Sequence, residues 1–458
     1  MLFHTWPFFA FFAVVYPVFL LIQRTRLRLP WLLVASCVFY AWLSPIYLIP
    51  LAYATVVDYL ATGRMEKSSR PRVWLTLSIA NNLSVLVFFK YAGFIAENIN
   101  ALLPYVHIPY TVPAPGWLLP AGLSFYLLQS ISYVVDVYRG TIRRETSLLA
   151  HAAFVSFFPR LLAGPIERAG HLLPQLHSTP PISLRDFTDG LSMFVVGYFK
   201  KVALADYLVL YVGRVYQAPS EFHAPALLLA TFLFAWQVYF DFSGYTDMAR
   251  GVARMMGIRL VRNFDNPYLA VSMSDFWKRW HISLSCWFRD YVYIPLGGNR
   301  RGRLATYRNV FVAMVLSGLW HGAAWTFVLW GVVHALGNSA TRELERSAFY
   351  VHKVPRIAKR LFVFGFVLFA WIFFRAESIT AAWTVLTRIF TSGWADPRCP
   401  VLALAMIAAV WGYQYAFESR LRWILELKAV QTCLIVLMLV YMVVTVSAEG
   451  KPFIYMQF

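Results

Sequence analysis

Charge is what this sequence has least of. Only 14% of its 458 residues are Asp, Glu, Lys or Arg, and 59% are hydrophobic; a soluble domain carries about 25% charged residues. That deficit, with a mean hydropathy of +0.57, excludes an ordinary soluble class and points to a membrane protein. Carboxylates are the rarer charge, 22 against 41 Lys and Arg, for a net charge of +19. The basic residues lie in short loops between apolar runs, which is the pattern of cytoplasmic loops and not of a nucleic-acid surface. Some of that charge is expected to meet anionic lipid head groups. Cysteine is scarce as well. Cys37, Cys286, Cys399 and Cys433 are too few for a disulfide scaffold and lack metal-site spacing, so no metal is expected. There is no G-x-x-x-x-G-K-[ST] loop and no G-x-S-x-G elbow. No internal repeat is visible, which counts against a transporter, since many transporters are built from repeats. The first residues, Met-Leu-Phe-His-Thr-Trp, lack the basic region and cleavage site of a signal peptide, so the reading is a retained first span with the N-terminus outside.

What is present is a series of apolar runs. A spanning helix needs about 20 such residues. Candidates fall at 8–22, 30–43, 46–60, 73–89 and 118–137. Counting Lys and Arg puts 24–28, 64–72 and 139–144 in the cytoplasm, and 91–117, a Pro-containing stretch without either, outside. Residues 152–164 are apolar but too short to span, and they hold Pro159, Arg160 and Gly164; a re-entrant or interfacial element fits. Further candidates lie at 187–216, interrupted by Lys200 and Lys201, and at 225–242. Residues 248–308 read as a large basic cytoplasmic region. Residues 309–337 form either one broken span or a helical hairpin turning at His321; the basic excess of 342–360 favours the hairpin. His321 then lies about 12 residues, or roughly 18 Å, from the cytoplasmic end, past the middle of a core about 30 Å thick. The last candidates are 361–374, 400–417 and 430–446. The fold class is therefore an all-α polytopic membrane protein, with about 11–12 transmembrane helices plus re-entrant or interfacial ones. It reads as one membrane domain over 1–458, with a catalytic core at roughly 150–340.

Two histidines stand out. Residues 274–291 read as one helix, capped by Ser272 or Ser274. On it Trp277, Trp280, Leu284, Trp287 and Tyr291 recur at helical spacing. An interfacial amphipathic helix with tryptophans at head-group level accounts for that stripe without any chemistry. His281 lies on the same face, where a packing role is the ordinary one. His321 is the stronger candidate. It follows Trp320 inside an apolar run and has small neighbours, Ser317, Gly318, Gly322, Ala323 and Ala324. A buried imidazole can take and return a proton near neutral pH; the alternative is a helix-packing residue, which is how His334 reads. Asp241 and Asp247 flank Ser243-Gly244-Tyr245 at the end of a span. Carboxylates at membrane depth pair with something, and Arg250, Lys278 and Arg279 are the nearby candidates. A structural ion pair bracing the site is the simpler role for them. The loop Gly297-Gly298-Asn299-Arg300-Arg301-Gly302-Arg303 suits either a solvated basic turn or a cradle for a phosphate or a pantetheine-bearing donor.

At these residues the chain resembles a known family. Phe276-Trp-Lys-Arg-Trp-His281-Ile-Ser-Leu, the Ile-Pro-Leu-Gly-Gly-Asn-Arg tail ending at Arg300, and Gly318-Leu-Trp-His321-Gly resemble the membrane-bound O-acyltransferase superfamily. Phe240-Asp-Phe-Ser-Gly-Tyr-Thr-Asp247, Phe158-Pro-Arg-Leu-Leu-Ala-Gly-Pro-Ile-Glu-Arg168 and Trp6-Pro-Phe look like its alginate O-acetyltransferase branch. The resemblance implies a funnel-shaped fold and acyl transfer to a hydroxyl, with His321 and His281 catalytic. Trp277, Arg279, Trp280, Ser317, Trp320, Asp241, Asp247 and Asn299 are the candidates for contacts to substrate or donor. No tightly bound cofactor is expected. Acetyl-CoA or another acyl thioester would be the cytoplasmic donor, and an extracytoplasmic polysaccharide the acceptor, reached directly or through a periplasmic SGNH-type acetyltransferase. The location expected is a bacterial inner membrane. Open alternatives are D-alanyl or other acyl transfer from a carrier protein, and a polytopic transporter.

Overall fold

The computed structural model describes residues 1–178 and 181–445. Every regular element among them is helical. The chain divides into two compact units. The first holds residues 1–191 and 249–261, the second residues 192–248 and those from 262 onward.

The first unit begins with α1 (Trp6–Ile22), α2 (Arg28–Ala41), α3 (Leu48–Lys67) and α4 (Pro71–Leu86). Pro71 opens α4 where a missing N–H costs nothing. A π turn over Val87–Tyr91 joins α4 to α5 (Ala92–Leu102). The helix thus runs past Lys90, into the stretch the sequence reading made a loop from 91; only residues beyond 106 are free of helix. Then come α6 (Leu123–Tyr138), α7 (Leu148–Ser156), α8 (Phe158–Leu161) and α9 (Ala169–His177). All of α6 from Leu123 to Val134 is buried, which makes it this unit's central helix. The expected re-entrant element is the broken α7–α8 pair, split at Phe157 and carrying Pro159.

A second π turn, Phe199–Ala205, joins α10 (Leu184–Tyr198) to α11 (Asp206–Gln217). The 32-residue α12 (Ala224–Met255) follows. Asp241 and Asp247 therefore sit inside a continuing helix, not at its end. The remaining helices are α13 (Met273–Arg279), α14 (Ile282–Phe288), α15 (Gly302–His321), α16 (Trp325–Leu344), α17 (Ala348–Lys353), α18 (Arg356–Arg375), α19 (Ile379–Thr391), α20 (Val401–Phe417), α21 (Arg422–Leu425) and α22 (Lys428–Thr445). The last expected span ended at residue 446, which lies outside the described residues.

Among the described residues, 45–67, 71–106, α12 and α18 are long and apolar enough to cross a membrane. Shorter apolar helices are α1, α2, α20 and most of α22. The other expected spans are helical too, as α6, α10–α11 and α15–α16.

Candidate functional site

The site lies in the second unit and is built on two breaks. The first interrupts the helix expected over 274–291. Ser272 caps α13, its hydroxyl accepting from the Asp275 N–H at 3.2 Å, but α13 stops at Arg279. His281 adopts φ 41°, ψ 55° before α14 starts. Such a left-handed residue is uncommon, though His tolerates it better than most. Its placement is enforced from the preceding loop. Asn263 accepts the Ile282 N–H on its carbonyl at 2.9 Å and the Ser283 N–H on Oδ1 at 3.2 Å. Asp265 N–H donates to the Arg279 carbonyl at 2.9 Å. These three bonds satisfy backbone groups that the break would orphan. The apolar stripe faces protein and not a head-group layer: Trp277, Trp280, Leu284 and Trp287 are all buried.

The second break is at Gly322. It is extended, at φ −157°, and ends α15 one residue after His321; Ala324 then caps α16. This is the hairpin, with His321 as the last residue of its first arm. Glycine lets the arms touch. A Cβ on Gly318 would stand 2.2 Å from the Phe327 carbonyl oxygen, and one on Gly331 would stand 2.5 Å from that of Met314.

The two breaks bring the histidines together. Their ring centroids are 6.3 Å apart, with His281 fully buried and His321 3% exposed. Phe242 of α12 meets the His281 ring edge-on at 4.6 Å, and Trp320 lies 5.8 Å from it. Around His321 stand Trp320 at 5.0 Å, Trp330 at 5.1 Å and Phe374 at 5.3 Å. Burial pushes His281 down to about 3, so it is neutral at pH 7. A neutral imidazole works through hydrogen bonds, not charge.

Of the other residues expected here, Trp320 and Ser317 share the last turns of α15 with His321, and both are buried. Trp277 approaches through Trp330 at 5.7 Å. Trp280 packs on Trp371 at 5.1 Å and on Phe264 at 5.1 Å. Arg279 is engaged by Asp275 at 2.8 Å and Glu418 at 2.5 Å. Asn299 is exposed in its turn; the neighbouring Gly298 is tied down by Asn309, whose Nδ2 donates to the Gly298 carbonyl at 2.9 Å. Both aspartates are ion-paired, to lysines that the sequence analysis did not name as partners. Asp241 meets Lys201 at 2.9 Å, and Asp247 meets Lys200 at 2.7 Å. These partners lie some forty residues away in sequence, so proximity along the chain did not reveal them.

Sequence reasoning also passed over Phe242, Asn263, Trp330 and Phe374, which look like ordinary core residues. It read His334 as packing, and the structure packs that buried ring against Trp330 at 4.5 Å, tilted, and Trp277 at 5.0 Å, edge-on.

An all-α polytopic membrane protein with two buried histidines drawn together by helix breaks is the class these observations define. The chain belongs to the membrane-bound O-acyltransferase (MBOAT) family, whose model matches residues 139–383, and it is an O-acyltransferase. It is similar to the probable alginate O-acetylase AlgI of Azotobacter vinelandii, at 41% identity over 81% of this chain and 74% of the relative. It is similar to the peptidoglycan O-acetyltransferase of Helicobacter pylori, at 35% identity over 78% and 72%. A teichoic acid D-alanyltransferase of Streptococcus thermophilus is 29% identical over 47% and 55%.

Proposed function

We propose that the protein transfers an acetyl group from a cytoplasmic thioester, acetyl-CoA in the simplest case, to hydroxyls of an extracytoplasmic polysaccharide. The acceptor is reached directly or through a periplasmic SGNH-type partner, and the membrane is a bacterial inner membrane with the N-terminus outside. The observation that carries this reading is the His281–His321 pair sealed among aromatic rings. The names of the relatives, an alginate O-acetylase and a peptidoglycan O-acetyltransferase, support the polymer and the acyl group. The D-alanyltransferase match covers only half of the chain, and D-alanyl transfer is our second reading.

In this reading His321 takes the proton of the acceptor hydroxyl as its oxygen attacks the thioester carbonyl. The tetrahedral intermediate collapses, the carbon–sulfur bond breaks, and the imidazolium returns the proton to the leaving thiolate. His281, neutral, donates a hydrogen bond to the developing oxyanion or orients His321. Water is kept out by the packed rings, which strengthens both interactions.

The test is thiol release from acetyl-CoA by the purified protein in liposomes, with and without an acceptor polysaccharide. Acceptor-dependent release that His321→Ala abolishes supports the proposal. Turnover of an acyl-carrier-protein thioester in place of acetyl-CoA would move the donor to the second reading.

A further inference from the structure

The second unit holds a buried charge cluster with no place in the chemistry above. The π turn after α10 carries Lys200 and Lys201 on consecutive positions, and each reaches α12. Lys201, with a side chain only 2% exposed, bonds Asp241 at 2.9 Å and Asp206 at 2.8 Å. Lys200 bonds Asp247 at 2.7 Å. The two helices cross at glycines: a Cβ on Gly197 would stand 2.5 Å from the Gly244 carbonyl oxygen, and one on Gly244 would stand 2.7 Å from that of Gly197. Backbones this close bring the π turn within reach of α12. A π turn inside a helix often marks a functional position.

Asp241 is followed directly by Phe242. Successive helical side chains point about 100° apart, so one faces the lysine and the other the histidine. Phe242 presses on the His281 ring at 4.6 Å with the planes at 89° and on Phe264 at 5.2 Å. Phe264 belongs to the loop whose Asn263 holds the His281 turn.

We propose that Lys201 is a positioning residue for His281: by gripping Asp241 it fixes the rotation of α12 that seats Phe242 against the imidazole. The proposal rests on the reading of His281 as part of an acyl-transfer site, and it treats the salt bridge as a register clamp. A buried ion pair adds little net stability over apolar replacements, so a clamp is a better account of it than stabilisation alone.

The test uses the full-length protein and compares Asp241→Leu, Phe242→Leu and the double variant. Asp241→Leu leaves Lys201 paired with Asp206, so no buried charge is stranded and the fold survives. Lys201→Met would strand two carboxylates, which makes it the poorer probe. The first readout is modification of His281 by a histidine-selective acylating reagent, located by mass spectrometry. In the wild type the ring is shielded; in Asp241→Leu it becomes reactive. The second is thioester turnover, for which kcat falls about 10²-fold with KM unchanged, as for a small misplacement of a reacting group. Two residues acting as a unit are not additive, so the double variant is no worse than the weaker single. A folded Asp241→Leu in which His281 stays shielded, or losses that multiply in the double variant, overturns the proposal. If His281 becomes reactive while the wild type shows no acyl transfer, the clamp stands and the proposed function fails.

Discussion

His321 and His281 differ in what their removal should reveal. Replacing His321 by Ala removes the proposed base and leaves a small cavity at the end of α15. The expected loss is about 10²–10⁴-fold in transfer rate, with insertion and expression intact. Near-normal acetylation by a well-expressed variant would end the assignment. His281 combines a ring with an unusual backbone, and three substitutions separate the two. Asn accepts the left-handed conformation and keeps a hydrogen bond; Gln keeps the bond at a backbone cost; Gly relieves the backbone and removes the ring. If the ring does chemistry, all three lose kcat, less severely than His321→Ala, and each also loses thermal stability because part of a fully buried ring is deleted. Full activity in the Asn variant would return His281 to packing.

The same residue sets a pH signature. The fold holds His281 well below the 6.5 of an exposed imidazole, at about 3, so the unfolded chain binds the extra proton first. Its contribution to stability is present above pH 6.5 and is lost as pH falls toward 3. Thermal melts of wild type and His281→Asn across that window should converge toward the acid end. Parallel curves would mean that the imidazole titrates as if exposed.

Among the elements, what was legible in the sequence followed the strength of the local signal. The hairpin at His321 was readable because glycine and alanine interrupt an apolar run. The early helices were readable because basic residues punctuate them. The break at His281 was not, because Trp277, Trp280, Leu284 and Trp287 keep helical spacing straight across it. That stripe is real, but its two halves belong to different helices, and the hydrogen bonds that split them come from Asn263. The Lys200 and Lys201 partners were hidden for the opposite reason: nothing local marks a contact made across forty residues. Two variants test these elements. Gly331→Leu drives a side chain into the Met314 carbonyl and should abolish accumulation of folded protein, measured by detergent-resistant monodispersity. Asn263→Ala frees the Ser283 N–H, a loss of about 1–3 kcal/mol for a buried donor. It should lower the melting temperature and the transfer rate together; an unchanged rate would separate the His281 turn from catalysis.

For the whole molecule, the orientation is an expectation from the basic loops, while the helices are features of the fold. The basic loops lead us to expect 342–360 inside and 91–117 outside. The helical extension to Val106 shortens the latter but leaves Tyr110 exposed. Exposed Cys399 and Cys433 are replaced first; then Tyr110→Cys and Tyr350→Cys are treated with an impermeant thiol reagent in intact cells. Labelling at 110 alone is the expected outcome. Labelling at 350 would overturn the orientation expected from the basic loops and move His321 relative to the membrane.

The π turns give the chain a vulnerability of an unusual kind. A π turn is a helix holding one residue more than its hydrogen-bond pattern requires, so it can be cured by deletion. Removing a single residue such as Val202 should let α10 and α11 fuse into a regular helix with every backbone bond made. It would also rotate all that follows by about 100°, carrying Asp206 away from Lys201. Shortening by one codon would then yield a protein that is better helix and worse enzyme, which no point substitution at that turn can do.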